Sequence, residues 1–180
     1  MRCPKTIVSF IFGVLLCAST GIAAKGAQVS DVYTSLRNMA LATKPETAGA
    51  SASAAPNVPF GVVTDIRVDN GFATVVANAD GHASIYLSSG GGYLGGEGTA
   101  KINAAAKATV EAAASALGEM HLTKQYPLPQ QDHVNFFVLT TAGVLTATAK
   151  ESDLEDTSKP LGHLYEAVQN VITQYRLMQR

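Results

Sequence analysis

The segment GVVTDIRVDNGFATVVANADGHASIYLSS, residues 61–89, decides the fold because its alternating apolar and polar residues are interrupted by two turn signals. The dipeptides Asn70-Gly71 and Asp80-Gly81 both tolerate the positive φ angles of two-residue hairpin turns. Alternation with a period of two is typical of a strand that buries one face. The segment therefore predicts a meander of three antiparallel strands.

The register of the first hairpin follows from the position of its turn. With Asn70-Gly71 as the turn, Asp69 pairs with Phe72 and Val68 pairs with Ala73. This register places the apolar residues of both strands on the same face, as a sheet with one buried face requires.

The C-terminal half of the chain alternates between helical and strand patterns. Apolar residues at three- and four-residue spacing predict a helix over about 99–117 and a final helix that begins near Pro160. Two strands, 134–139 and 144–150, are predicted between these helices. The tripeptide Thr141-Ala142-Gly143 predicts a three-residue loop that joins the two strands into a hairpin.

Two segments of this half lack a regular pattern. Residues 88–98 are too rich in glycine for regular structure, and residues 121–132 are predicted as a loop because Pro127 and Pro129 interrupt them.

The predicted fold class is α+β, with a five-stranded antiparallel sheet (three-strand meander, helix, hairpin) flanked by helices. This element order is similar to the roadblock, longin and profilin-like layouts, which also place helices around a five-stranded antiparallel sheet. The resemblance concerns element order, so it implies an architecture and no activity.

The N-terminal residues have the order of a secretory signal peptide. Arg2 and Lys5 precede an uncharged apolar run, 6–17, and small residues follow as far as Ala24. Residues 1–24 are therefore predicted to be a cleaved leader, which makes the mature protein periplasmic or secreted. An alternative is an envelope lipoprotein acylated at Cys17.

The rest of the chain divides into three predicted parts. Residues 25–43 contain a short helix that Ser30 can cap, and residues 44–59 form a linker rich in alanine, serine and proline. Residues 60–180 form a single α+β domain. The short helix docks on this domain, docks on a partner or frays.

Composition excludes several classes of site from the mature chain. Both cysteines, Cys3 and Cys17, lie in the predicted leader, so thiolate metal sites and cysteine nucleophiles are excluded. Removal of Arg2 and Lys5 from the 13 basic residues leaves 11 against 14 acidic ones, a net charge of −3. The absence of a basic stripe argues against nucleic-acid binding. No transmembrane segment is predicted after the leader, and no cofactor is predicted.

The glycine tract is the segment with a predicted ligand or partner contact. Gly90, Gly92 and Gly95 match G-x-G-x-x-G, but a dinucleotide site requires that motif between a parallel strand and a helix. A glycine loop before a helix can instead offer backbone N–H groups to an anion. The predicted contact residues are Gly91, Gly92, Tyr93, Gly95 and Lys101.

No convergent catalytic set or metal cluster is predicted. The four histidines are scattered, and none of them has the spacing of a helical metal site. They are His82, His121, His133 and His163. The leading hypothesis is an exported, non-enzymatic α+β domain that binds a protein or a small ligand, with self-association through a sheet edge as one form of it. The alternative is a small periplasmic hydrolase or ligand-binding enzyme that uses loop 90–98.

Overall fold

A seven-stranded antiparallel sheet forms the middle layer of the fold in the computed structural model, which describes residues 29–51, 55–68, 71–96 and 99–178. The α-helices of this part of the chain are α1 (Asp31–Leu41), α2 (Ala100–Ala116) and α3 (Pro160–Met178). The strands are β1 (Pro59–Val68), β2 (Gly71–Asn78), β3 (Ala83–Leu87), β4 (Gly92–Tyr93), β5 (His121–Thr123), β6 (His133–Thr140) and β7 (Gly143–Lys150).

The strand order in the sheet is β4-β3-β2-β1-β6-β7-β5, and every neighbouring pair is antiparallel. The meander thus forms one half of the sheet and the C-terminal hairpin the other, with β1 and β6 paired at the centre. The predicted α+β class and the flanking helices are confirmed. The predicted signal peptide, with both cysteines, lies outside the described residues.

The predicted number of five strands was wrong, because two short strands extend the edges of the sheet. One is β4, in the glycine tract predicted to be irregular, and the other is β5, in the predicted loop 121–132. Both are held by backbone pairing, as in the hydrogen bond from the Leu87 N–H to the Gly91 carbonyl (3.1 Å). Backbone pairing over two or three residues leaves no periodic pattern of side chains, so neither strand has a sequence signal.

The register of the first hairpin differs from the prediction by two residues. Val68 pairs with Gly71 rather than with Ala73, and residues 69–70 between the two strands lie outside the described residues. Gly71 belongs to the strand because the hydroxyl of Ser88 occupies the space where a side chain would stand, 2.1 Å from the position of a Cβ. A shift of two residues keeps the same face inward, so the predicted sharing of one face by the apolar residues is preserved.

A turn at Asp80-Gly81 is confirmed, but its loop has three residues, 79–81, rather than the two predicted. The Asn78 N–H donates to the His82 carbonyl (2.9 Å), and Gly81 has a φ of +94°. The C-terminal hairpin, by contrast, has a two-residue loop, because Thr140 pairs directly with Gly143 and donates its hydroxyl to the Gly143 carbonyl (2.8 Å). The predicted three-residue loop was therefore wrong.

Each face of the sheet packs on its own layer. Helices α2 and α3 cover one face, where alanines of α2 allow close approach to the strands. Helix α1 and the 3-10 helix Pro45–Ala48 cover the other face, and Ala48 is fully buried there although it lies within the predicted linker 44–59. No helix among the described residues is both long and apolar enough to cross a membrane.

Candidate functional site

A cavity of about 190 Å³ lies between α1 and the sheet edge formed by β3 and β4. Its lining is aliphatic and aromatic apart from two glycine backbones. We call it the α1 cavity, and its lining residues are Val32, Tyr33, Leu36, Tyr86, Gly91, Gly92 and Leu94.

The N-terminal end of α1 is fixed beside this cavity by Ser30. The Ser30 hydroxyl accepts from the Tyr33 N–H (3.2 Å), which confirms Ser30 as the N-cap, and the Ser30 N–H donates to the Ser88 carbonyl (2.9 Å). The cap satisfies one of the free N–H groups of the first turn. The helix therefore begins against the turn between β3 and β4.

A buried ion pair holds the middle of α1 on the sheet. The Nε and one terminal nitrogen of Arg37 both donate to Oδ2 of Asp65, at 2.9 and 2.6 Å. The Asp65 side chain is fully buried and that of Arg37 is nearly so. The same terminal nitrogen donates to the Tyr126 carbonyl (3.0 Å), so Arg37 also fixes the loop before β6.

The ion pair belongs to a row of polar side chains that crosses four strands. Thr74 donates its hydroxyl to Oδ1 of Asp65 (2.6 Å) and is hydrogen bonded to the Tyr33 hydroxyl (2.8 Å). On the other side of Asp65, Asn135 donates to the Pro127 carbonyl (2.9 Å) and accepts from a threonine of β7. Because both oxygens of the Asp65 carboxylate are engaged in these bonds, the row positions α1 and has no accessible acid or base.

Burial and the neighbouring Asp65 carboxylate raise the pKa of Tyr33 to about 12 from its ordinary value of 10.0. The folded protein thus keeps the phenol proton to a higher pH than the unfolded chain does. The stability that this group contributes is fully present below about pH 10 and is lost as the pH rises from 10 to about 12.

We therefore expect the free energy of unfolding of Tyr33→Phe to fall less steeply above pH 10 than that of the unchanged protein. Urea unfolding of both proteins at pH 8 to 11 measures this difference. The free energy of unfolding of the variant should still fall with rising pH, because burial also raises the pKa of Tyr165 and of Tyr175. The same dependence of the free energy of unfolding on pH in both proteins would contradict the role assigned to Tyr33.

The predicted contact residues of the glycine tract are divided between the two sides of the sheet edge. Gly91 and Gly92 line the α1 cavity. The Gly95 N–H donates to the Ser84 hydroxyl (3.2 Å). The ring of Tyr93 stacks on Tyr175 of α3 at 5.2 Å between centroids, so it packs toward the other helical layer.

Lys101 lies apart from the α1 cavity. It is exposed in the first turn of α2 and lines an open groove of about 460 Å³ between α2 and α3. The other lining residues of this groove are Ala104, Ala105, Ala108, Asn170, Gln174 and Leu177. The structure thus brings together Gly91 and Gly92, and does not bring Lys101 to them.

The histidines make local contacts. His82 lies 2.6 Å from the Asp80 carboxylate, which also accepts from the His82 N–H (2.9 Å) and so closes the turn. The His133 ring is hydrogen bonded to the Gln131 carbonyl (2.7 Å). In the part of the chain that the structure describes, no three His, Cys, Asp or Glu residues are grouped in a way that could hold a metal ion.

The sequence did not predict the Arg37–Asp65 ion pair, which holds α1 on the sheet beside the cavity. A sheet with one buried face, as predicted, would leave the face of β1 that carries Asp65 in solvent, but that strand is buried on both faces. The available signal was a basic residue, Arg37, one helical turn after Tyr33 in the short helix. A pairing between residues 28 positions apart cannot be derived from spacing alone.

Comparison of the chain with protein-family models, curated proteins and solved structures finds no match.

Proposed function

We propose that this chain is an exported, non-enzymatic α+β domain that binds a compact apolar group of a small ligand or of a partner protein. The observation that carries the proposal is the α1 cavity. Pockets of this type, apolar and formed between packed elements, are where proteins bind ligands.

The size and lining of the α1 cavity favour an uncharged aromatic or branched aliphatic group. At about 190 Å³ it exceeds a dry apolar cavity of about 150 Å³ that binds benzene. The hydroxyl of Tyr33 is hydrogen bonded to Thr74, so this phenol presents its ring to the cavity. A ligand would gain affinity by burial of apolar surface.

The rim of the cavity supports binding to a second molecule. Val32 is 63% exposed and Leu94 is 67% exposed, on opposite sides of the cavity. Exposed aliphatic side chains around a cavity are typical of interfaces in which one side chain of the partner is buried in that cavity and contributes much of the binding energy. Among the described residues, the lining of the cavity contains no carboxylate, imidazole or amine, which favours binding over catalysis.

Indole is a suitable probe because it is apolar, flat and similar to a tryptophan side chain. We expect an NMR titration with indole to shift the amide signals of Tyr33, Leu36 and Gly91 selectively. Leu36→Trp places a large side chain in the cavity and should abolish these shifts.

Leu122→Trp is the control, because it places the same large side chain at an exposed leucine on the opposite edge of the sheet, away from the cavity. This variant should titrate like the unchanged protein. Shifts that survive in Leu36→Trp, or no shift at high indole concentration, would contradict the proposed function.

A further inference from the structure

We infer that two copies of this chain pair through the outer edge of β4, with Leu94 of each copy bound in the α1 cavity of the other. The inference rests on the proposed function and identifies an apolar group that the cavity binds. Three properties of β4 support it: the direction of its backbone groups, the side chains on its two faces and its lack of charge.

The backbone of β4 directs hydrogen-bonding groups away from the sheet. In the described part of the chain, β4 is the last strand on this side of the sheet. The Leu87 N–H donates to the Gly91 carbonyl (3.1 Å), and the next pair along the ladder is Tyr86 with Gly92. Because hydrogen-bonded and non-hydrogen-bonded pairs alternate in an antiparallel ladder, the N–H and carbonyl of Gly92 point to the outer edge. By the same alternation, so do those of Leu94. A further strand can therefore pair with these two residues.

One register of two antiparallel β4 strands fits these directions. A two-fold axis perpendicular to the sheet at Tyr93 places Gly92 of each copy opposite Leu94 of the other. Each of these pairs can then form both of its backbone hydrogen bonds. The interface is isologous, so it closes with two copies and adds no third.

The same register brings an apolar side chain to each α1 cavity. Leu94 is 67% exposed and lies on the face of the sheet that carries the cavity, which it lines. Leu94 of the second copy stands opposite Gly92, which also lines the cavity and has no side chain to block entry. One surface thus contains both the inserted side chain and the cavity that receives it. This self-complementarity favours a second copy of the chain as the occupant.

The other face of β4 carries Tyr93. Its ring stacks on Tyr175 of α3, at 5.2 Å between centroids. The two-fold axis brings the Tyr93 residues of the two copies directly opposite each other, with about 4.5 Å between their Cα atoms. Aromatic side chains opposite each other stabilise antiparallel strand pairs.

The edge has the charge that a symmetric interface requires. A two-fold axis brings identical side chains together, so any charge near it would face a like charge and weaken the pairing. Residues 86–96, YLSSGGGYLGG, contain no charged side chain. Because β4 is short, we expect the dimer to form and dissociate with concentration, as small interfaces do.

Light scattering across a concentration series, on the full chain under reducing conditions, tests the inference. We expect the mass of the unchanged protein to rise from one chain toward two. Tyr93→Lys and Tyr93→Glu should each stay at one chain, because like charges then face each other at the axis. An equal mixture of these two variants should associate again, which shows that both are folded. Leu122→Lys, at an exposed leucine of the edge strand β5, is the control and should associate like the unchanged protein.

Four results would overturn the inference. They are an unchanged protein that stays at one chain at every concentration, association that persists in Tyr93→Lys, a mixture of the two charged variants that does not associate, and loss of association in Leu122→Lys. Indole binding is measured separately on the single-chain Tyr93→Lys variant. A protein that binds indole and does not associate contradicts this inference alone, whereas a protein that does not bind indole contradicts the proposed function.

Discussion

We expect Arg37→Met to lower the free energy of unfolding by about 3–5 kcal/mol, because it removes the cation from a buried carboxylate. Asp65 has no exposed side-chain surface, and two nitrogens of Arg37 donate to one of its oxygens. The remaining hydrogen bond, from Thr74, cannot balance a full charge away from water. Urea unfolding followed by circular dichroism measures the change.

Two further variants separate the ion pair from other effects. The double variant Arg37→Met with Asp65→Leu removes both charges, and we expect it to be more stable than Arg37→Met alone. Arg176→Met, on an exposed turn of α3, should lie within about 0.5 kcal/mol of the unchanged protein. An Arg37→Met protein as stable as the Arg176→Met control would contradict the account of how α1 is held.

We expect Gly92→Ala to lower the free energy of unfolding by about 2–4 kcal/mol through backbone strain and overpacking. Gly92 has a φ of +141°, and a Cβ at this position would lie 2.0 Å from the carbonyl oxygen of Ile85. The clash involves the backbone of the neighbouring strand, so a change of rotamer cannot relieve it.

Gly91→Ala is the matched control for this prediction. Gly91 also has a positive φ, +85°, but a Cβ there would meet nothing within 4 Å, so only the conformational cost of about 1–2 kcal/mol applies. Thermal unfolding of both variants gives the comparison. Equal effects would show that β4 does not pair with β3 as closely as described.

These two substitutions also separate the structural and ligand-binding roles of the glycine tract. Both residues line the α1 cavity, but only Gly92 makes a close backbone approach. A change in indole binding in Gly91→Ala, with the protein still folded, would assign the tract a part in ligand binding. If indole binding does not change, the role of these glycines is to allow the edge strand β4 to form.

The order of the principal elements could be predicted from local patterns because each follows from neighbouring residues. A turn formed at Asp80-Gly81 as predicted, although with a loop of three residues, and Ser30 capped the predicted helix. The first hairpin was predicted with the correct faces but with a pairing shifted by two, because the fit between Gly71 and Ser88 depends on a residue 17 positions away in the chain. The sequence spacing around the turn contains no information on that contact.

The edge strands and the α1 cavity could not be predicted for a related reason. β4 and β5 consist of backbone pairing between short segments, for which side-chain periodicity gives no signal. The cavity exists because α1 docks on the sheet through Arg37 and Asp65, a contact between two charged residues that are usually solvated. Long-range pairing of this kind is fixed by the whole fold.

The central claim is that an apolar group binds between α1 and the glycine tract. Intermolecular NOEs between the ring protons of bound indole and the protein methyl groups test it most directly. The account predicts NOEs to the methyl groups of Val32, Leu36 and Leu94. NOEs to Ala104, Ala108 and Leu177 instead, in the groove between α2 and α3, would contradict it.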